Sequence, residues 1–373
     1  MPLTYRYNVV PNGAKFINYF EANDYAHANN GYVDFKLDHA DINSFLSVDV
    51  EKIRETDIET IYKDKLSWCR ENFDQLRLLY SAGNDSHTIL KLSQEMGIEF
   101  DEVVLETCSI KQDPALDAEL LPGIEYARQT NVKNFVVKRP EVKHFERYLS
   151  PNWVNDVCGS QQFGFRGARI DVTLRQDPPM TCLSGFDTSY IYVSAEGKHY
   201  WVITDYPFSE YMRFDHVAFF TDSFKPETAV KQALMTKKFL QERLPNFRGL
   251  FTGPGDSKFS MTLDEKKAYQ SYIGRKKPLS PLSADPTIMG KKIPAYRSEK
   301  HAGVMRELEE MGRTDLVKAF FDSVETIKKK YKDHDYCLSV DAEGHPLWIL
   351  RFAAVFELGD DYIKHVSDRV IKI

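Results

Sequence analysis

Apolar and polar positions along the chain mark out an order of short strands and helices. Residues Met1 to about Val50 mix aromatics with Asn, Asp and Gly and predict short strands and loops. From about Ile58 to Asn72, Ile61, Leu66, Trp68 and Cys69 form an imperfect helical stripe. The run Leu76–Tyr80 is mostly apolar and reads as a buried strand. Small polar residues follow it, Ser81 to Ser86, and open a helix with Ile89, Leu90, Leu92 and Met96 on one side and Gly97 as its stop. A second strand is predicted over Asp101–Thr107, a helix over Pro114–Gln129, and a third strand over Asn134–Lys138. Strand, helix, strand, helix, strand at this spacing implies a parallel sheet with crossover helices.

Beyond Pro140 the pattern changes. Residues 151–167 are rich in Gly, Asn, Gln and aromatics and read as a loop-rich insertion. Met180–Leu183 predicts another buried strand, ending at Ser184-Gly185-Phe186-Asp187. A hairpin is expected over Tyr190–Val193 and Tyr200–Thr204, then a long helix over Lys225–Leu244. Asn246 to Pro294 reads as loop, and helices are predicted over Lys300–Glu310 and Asp315–Tyr331. The segments Val193–Ile203 and Val340–Leu350 echo one another, each a hairpin pattern around Glu-Gly, and read as two similar but independent hairpins. The expected organisation is an N-terminal β/loop extension (1–57), an α/β core with an insertion (58–222) and a mostly helical C-terminal region with a terminal hairpin (223–373).

Composition narrows the class. At 373 residues the chain is long enough for two to three domains at about 150 residues each. With 42% hydrophobic and 28% charged residues it is neither disordered nor fibrous. No apolar run is long enough to span a bilayer, and the N-terminus lacks the apolar stretch of a signal peptide, so a cytoplasmic protein is expected. The net charge of −6 gives no global field for nucleic acid. Arg275-Lys276-Lys277, Lys291-Lys292 and Lys328-Lys329-Lys330 read as solvated runs. Cys69, Cys108, Cys158, Cys182 and Cys337 are widely spaced, with no Cys-x-x-Cys pair, and read as reduced and mostly buried. No His-x-x-x-His spacing suggests catalytic zinc. Asp215-His216 reads as a surface turn.

The segment Leu76–Leu90 carries the chemistry. A buried strand ends in a tight turn of small residues that opens a helix. The first turn of that helix offers backbone N–H groups and the positive end of the helix dipole. Gly83 lets the backbone approach a ligand, and Ser81 and Ser86 add hydroxyl donors. The combination suits an anion, most simply phosphate. No Gly-Lys-[Ser/Thr] Walker element and no Gly-x-Gly-x-x-Gly fingerprint is present. Asp85 would repel a bare phosphate, so a Mg²⁺-bound pyrophosphate group is expected.

The six residues Ser81-Ala82-Gly83-Asn84-Asp85-Ser86 resemble the S-G-G-x-D-S signature of the PP-loop ATP pyrophosphatase superfamily, with Ala82 in place of its second-position glycine. The resemblance covers Leu76 to about Lys138. It implies a HUP-like α/β fold, a parallel twisted sheet with flanking helices, and an ATP- and Mg²⁺-dependent reaction. In that reaction a carbonyl or carboxylate acceptor is adenylated, pyrophosphate leaves, and a nitrogen nucleophile displaces AMP, as in asparagine-synthetase-type domains. It further implies that Ser81 to Ser86 cradle pyrophosphate and that Leu105 and Thr107, at the second strand's end, contact adenine. Gly185 and Asp187 resemble the later Gly-x-x-Asp turn of asparagine synthetases, one residue shorter, so Asp187 would join Asp85 on the metal. A downstream lysine should neutralise charge during adenylation. Lys277 is the candidate, with Lys231 and Lys237 as rivals.

The paired cysteines of thiolating members and the zinc-binding Cys cluster of deazaguanine-forming members are absent. Residue 2 is Pro, and about 55 residues before the first helix leave no room for a glutaminase domain, so ammonia or another amine from outside is expected. In size and loop the chain resembles stand-alone phage PP-loop proteins, where a nucleotide or DNA base would be the acceptor. The alternative is a non-catalytic adenine-nucleotide-binding or interaction protein.

Overall fold

A computed structural model describes residues 7–10, 12–16, 22, 25–26, 28–35, 37, 39–107, 109–112, 117, 120–148, 180–185, 189–204, 216–253, 261–274, 295–319, 321–322, 336–340 and 346–367. The N-terminal segment holds an antiparallel sheet of β1 (Tyr7–Val10), β2 (Ala14–Phe16) and β3 (Tyr32–Phe35), in the order β2-β1-β3. Two short helices follow where strands and loops were expected, α1 (His39–Leu46) and α2 (Val50–Glu55). Each buries an apolar pair three residues apart, Ile42/Phe45 and Val50/Ile53, too brief a stripe to stand out from noise. Asp49 caps α2 by accepting the Lys52 N–H at 3.0 Å.

The stripe at 58–72 is α3 (Ile58–Asn72), capped by Asp57. Then come β4 (Leu76–Leu79), α4 (Asn84–Glu95), β5 (Glu102–Glu106), α5 (Leu120–Gln129) and β6 (Phe135–Lys138). Helix α5 starts later than predicted: Asp117 sits in a bend, and Pro122 falls in the first turn, where no intrahelical donor is lost. The chain continues through α6 (Val142–Tyr148), β7 (Thr181–Ser184), the hairpin β8 (Tyr190–Val193) and β9 (His199–Thr204), and β10 (His216–Ala218).

Five of these strands form one all-parallel sheet in the order β10-β7-β4-β5-β6. In chain order that is fifth, fourth, first, second, third, a Rossmann-like winding whose direction reverses between β4 and β7. One face is apolar. Leu76, Leu78, Tyr80, Val103, Leu105, Leu183 and Val217 pack with Tyr62 and Leu66 of α3 and Ile89 and Leu90 of α4. The opposite face mixes Leu79, Val104 and Cys182 with charge: Arg77 meets Glu102 at 2.5 Å, and Lys138 reaches the same carboxylate at 3.3 Å.

Helix α7 (Glu227–Arg243) is followed by β11 (Gly249–Phe251), α8 (Leu263–Tyr272), α9 (Ala295–Glu310), β12 (Tyr336–Val340), β13 (Pro346–Leu358) and β14 (Ile363–Ser367). A second, antiparallel sheet runs β11-β8-β9-β13-β12, with β14 on β13. The two echoing hairpins thus share one sheet, their second strands pairing Trp201 with Phe356 and Val202 with Val355. The described part of 223–373 supplies helices α7 to α9 and strands β11 to β14. The stretch read as loop holds β11 and α8. Its missed signal was Thr262-x-x-Glu265, a capping box in which Thr262 Oγ1 accepts the Glu265 N–H and Glu265 accepts the Thr262 N–H. Of the helix predicted over 315–331, residues 315–319 and 321–322 are helical and the remainder lies outside the described residues. No helix among the described residues is long and apolar enough to cross a membrane.

Candidate active site at the sheet's switch point

The Ser81–Ser86 loop leaves the carboxyl end of β4, beside β7, where the winding reverses. In open parallel sheets this crevice is where ligands bind. Gly83 is the N-cap of α4 at φ −76° and ψ 164°, so no side-chain oxygen from the cap position covers the first turn. Ser86 Oγ accepts the Ser81 N–H at 3.1 Å and lies 3.2 Å from Ser81 Oγ, drawing the two ends of the loop together. Ser81 is exposed, Asn84 and Asp85 are half-buried, and Ala82, Gly83 and Ser86 are buried.

Two glycines press on this loop. A Cβ at Gly185, one residue past β7, would stand 2.7 Å from the Ser86 nitrogen and 2.8 Å from the Asp85 carbonyl carbon. Only a residue without a side chain lets β7 deliver its backbone this close to the helix start. Ala82 has φ +55°, the left-handed region that glycine enters without strain and L-residues rarely adopt. Its methyl is fully buried and points toward α5, where a Cβ on Gly123 would lie 3.2 Å from it and 2.6 Å from Leu105 Cδ1. Gly123 therefore makes room for an alanine in the loop.

Beneath the loop, Tyr80 Oη and His87 Nδ1 are 3.1 Å apart, and both side chains are buried. The His87 ring meets the Tyr126 ring edge-on, centroids 4.7 Å apart. Burial, with Lys91 adding to it, lowers the His87 pKa from 6.5 to about 4. The neutral ring shares one hydrogen bond with Tyr80 through Nδ1, while its Nε2 is buried with no hydrogen-bond partner. The sign of the linkage follows. Above pH 6.5 the ring is neutral folded and unfolded. Between pH 6.5 and 4 only the unfolded chain takes up the proton, so stability falls with pH, by about 3 kcal/mol at pH 4. Urea unfolding across this window should show that loss in the wild type and its absence in His87→Leu.

The structure brings Ser81 to Ser86 and Gly185 together. Leu105 and Thr107 lie on the next strand, β5. Leu105 is 2% exposed and in register with Val137, while the Thr107 N–H donates to Lys138 O at 3.0 Å and its hydroxyl to Asp117 at 2.5 Å. The donors of Thr107 are thus engaged within the protein. Asp187 and Lys277 lie outside the described residues, as do Asp215, Cys108, Cys158 and the three basic runs. The rival lysines serve other ends. Lys231 Nζ donates to the Ile53 and Arg54 carbonyls at 2.9 and 2.7 Å, capping α2, and Lys237 donates to Gly359 O and Asp360 at 2.8 Å each. Cys69 and Cys182 are buried, and no His, Cys, Asp and Glu cluster suited to a metal occurs among the described residues.

Several residues of this region were not legible beforehand. His216 is no surface turn: it opens β10, is 8% exposed, and lies 2.8 Å from the Ser184 hydroxyl at the end of β7. Tyr80, His87 and Gly123 gave no motif, because their roles depend on contacts that only the fold creates. Past Thr107, the Glu307 carboxylate of α9 accepts from Ser109 Oγ and the Ile110 N–H at 2.7 Å each, fixing the loop after β5 beside the crevice. Neither a known protein family nor a curated protein matches the chain.

Proposed function

We propose that the chain binds Mg²⁺·ATP at the Ser81–Ser86 loop and catalyses adenylation of a carbonyl or carboxylate acceptor, releasing pyrophosphate, after which a nitrogen nucleophile displaces AMP. The carrying observation is the abutment of Gly185 on Asp85 and Ser86 at the β4/β7 reversal. It supports a loop shaped for a ligand's phosphates, with the carboxyl ends of two strands converging on one helix start. Ala82 adds support, because its backbone takes a left-handed angle that suits a glycine at this position of the resembled pattern.

The amides of the first turn of α4, with the Ser81 and Ser86 hydroxyls, would hold the β- and γ-phosphates. Fixed donors aimed at developing charge lower the barrier because they need no reorganisation during the reaction. Mg²⁺ would lie between Asp85 and the pyrophosphate and let a carboxylate share the site with an anion. Asp187 and Lys277 are proposed for the second metal contact and for neutralising charge at the α-phosphate. A nucleotide or DNA base is one acceptor that suits this chemistry, with ammonia or an amine supplied from outside.

The Asp85→Asn variant tests the reading. It should fold normally and lose Mg²⁺-dependent pyrophosphate release by about 10²-fold or more, measured with nucleotide and candidate acceptors. Full turnover in this variant would remove Asp85 from the metal.

A further inference from the structure

We infer that Tyr80 and His87 are positioning residues that set the opening of the Ser81–Ser86 loop from beneath. Tyr80 is the last residue before the loop and His87 the first after it, and their side chains meet at 3.1 Å under it. Each end of this bracket is anchored separately. The Tyr80 N–H donates to Val104 O on β5 at 2.7 Å, tying it to the sheet, and the His87 N–H donates to Gly83 O at 3.0 Å, tying it into α4. Tyr126 of α5 closes over the imidazole and is itself fixed by donating to Gln94 at 2.9 Å. Lys91 of α4, with Glu95 near Tyr126, are the charged groups nearby.

The geometry gives the loop two cross-ties. Ser81 and Ser86 join its ends through an exposed Ser81 and a buried Ser86, and Tyr80 and His87 join its flanks with both side chains buried. The serine tie has one exposed partner, Ser81, whose hydroxyl can turn to an incoming anion. The Tyr80–His87 tie has none, so it fixes the spacing of strand end and helix start whether or not the site is filled. Amides that must meet phosphate oxygens within about 0.5 Å need such support. The deletion of either partner should therefore act on ligand affinity as well as on the fold.

This role rests on the nucleotide reading for its purpose, though the bracket itself does not. The test compares wild type, Tyr80→Phe, His87→Leu and the double variant by Mg²⁺·ATP calorimetry, thermal unfolding and amide hydrogen exchange at Gly83 to Ser86. Each single variant should bind Mg²⁺·ATP about tenfold more weakly and exchange the loop amides about tenfold faster. The double variant, free of an unmatched buried polar atom, should recover thermal stability but not affinity or protection. Recovery of wild-type affinity and protection in the double variant would overturn the inference and leave the pair a stability element only. If the wild type itself binds no nucleotide, the functional reading fails, and the exchange data alone decide: faster loop exchange sustains the bracket and unchanged exchange overturns it.

Discussion

Lys65→Met is expected to destabilise the protein by about 3–5 kcal/mol. Lys65 of α3 is fully buried and stands 3.1 Å from Asp222, which is 1% exposed, in the turn after β10. The ammonium also lies 5.4 Å from the centre of the Phe219 ring. Burial here is deep enough to push the neighbouring Cys69 thiol up to about 12. Methionine preserves the volume of the lysine stem but strips Asp222 of its counter-charge in a region that cannot hydrate it. Asp222 meanwhile accepts the Phe224 N–H at 3.0 Å, so its displacement would also loosen the entry to α7. The pair Lys65→Met/Asp222→Asn removes both charges and should regain most of the loss. Urea unfolding of the three variants checks this. A loss below about 1 kcal/mol for Lys65→Met would mean that the pair is hydrated.

The Gly185→Ala substitution should have the second large effect, and one that reaches function. The added methyl would meet backbone on its near side, the Ser86 nitrogen and the Asp85 carbonyl carbon, rather than a side chain that could swing aside. Either β7 or the start of α4 must shift, at about 1–3 kcal/mol for overpacking. A shift of α4 carries the amides of its first turn with it, so nucleotide affinity should fall more than the stability loss alone explains. Gly123→Ala provides the contrast. Its clash is mainly with a Leu105 methyl that can rotate, and it should cost stability with a smaller change in affinity. Calorimetric titration of both with Mg²⁺·ATP separates the two. Equal loss of affinity would argue against Gly185 acting on the loop directly.

These residues show what could be read before the fold was seen. Strands β4, β5 and β7 were legible because a parallel strand buried on both faces is a mostly apolar run, as Val103–Leu105 is throughout and Leu76–Leu79 is but for Arg77. The loop was legible because small residues between a strand and a helix have few other physical reasons to occur. Gly185 was found through its neighbour in the motif, without the reason for it. The winding order was not legible, since β4 pairs with β7 across more than a hundred residues and no local pattern encodes that choice. β10 is three residues long, too short for any periodicity, so His216 was misplaced with it. Lys231 and Lys237 looked like free cations in the sequence. Each instead ends on backbone carbonyls of a distant element, which a one-dimensional reading cannot supply. Ala82 gave no local sign of its left-handed backbone angle, which an L-residue rarely adopts.

The most direct measurement is thermal unfolding of the wild type and Asp85→Asn with ATP, in excess Mg²⁺ and in EDTA. Mg²⁺·ATP at about 100 times its dissociation constant should add about 2.7 kcal/mol to the wild type, chelation should remove most of this gain, and Asp85→Asn should show little of it. An unfolding curve unmoved by millimolar Mg²⁺·ATP, or a gain that is the same in EDTA and in the variant, would contradict metal-dependent nucleotide binding at this loop.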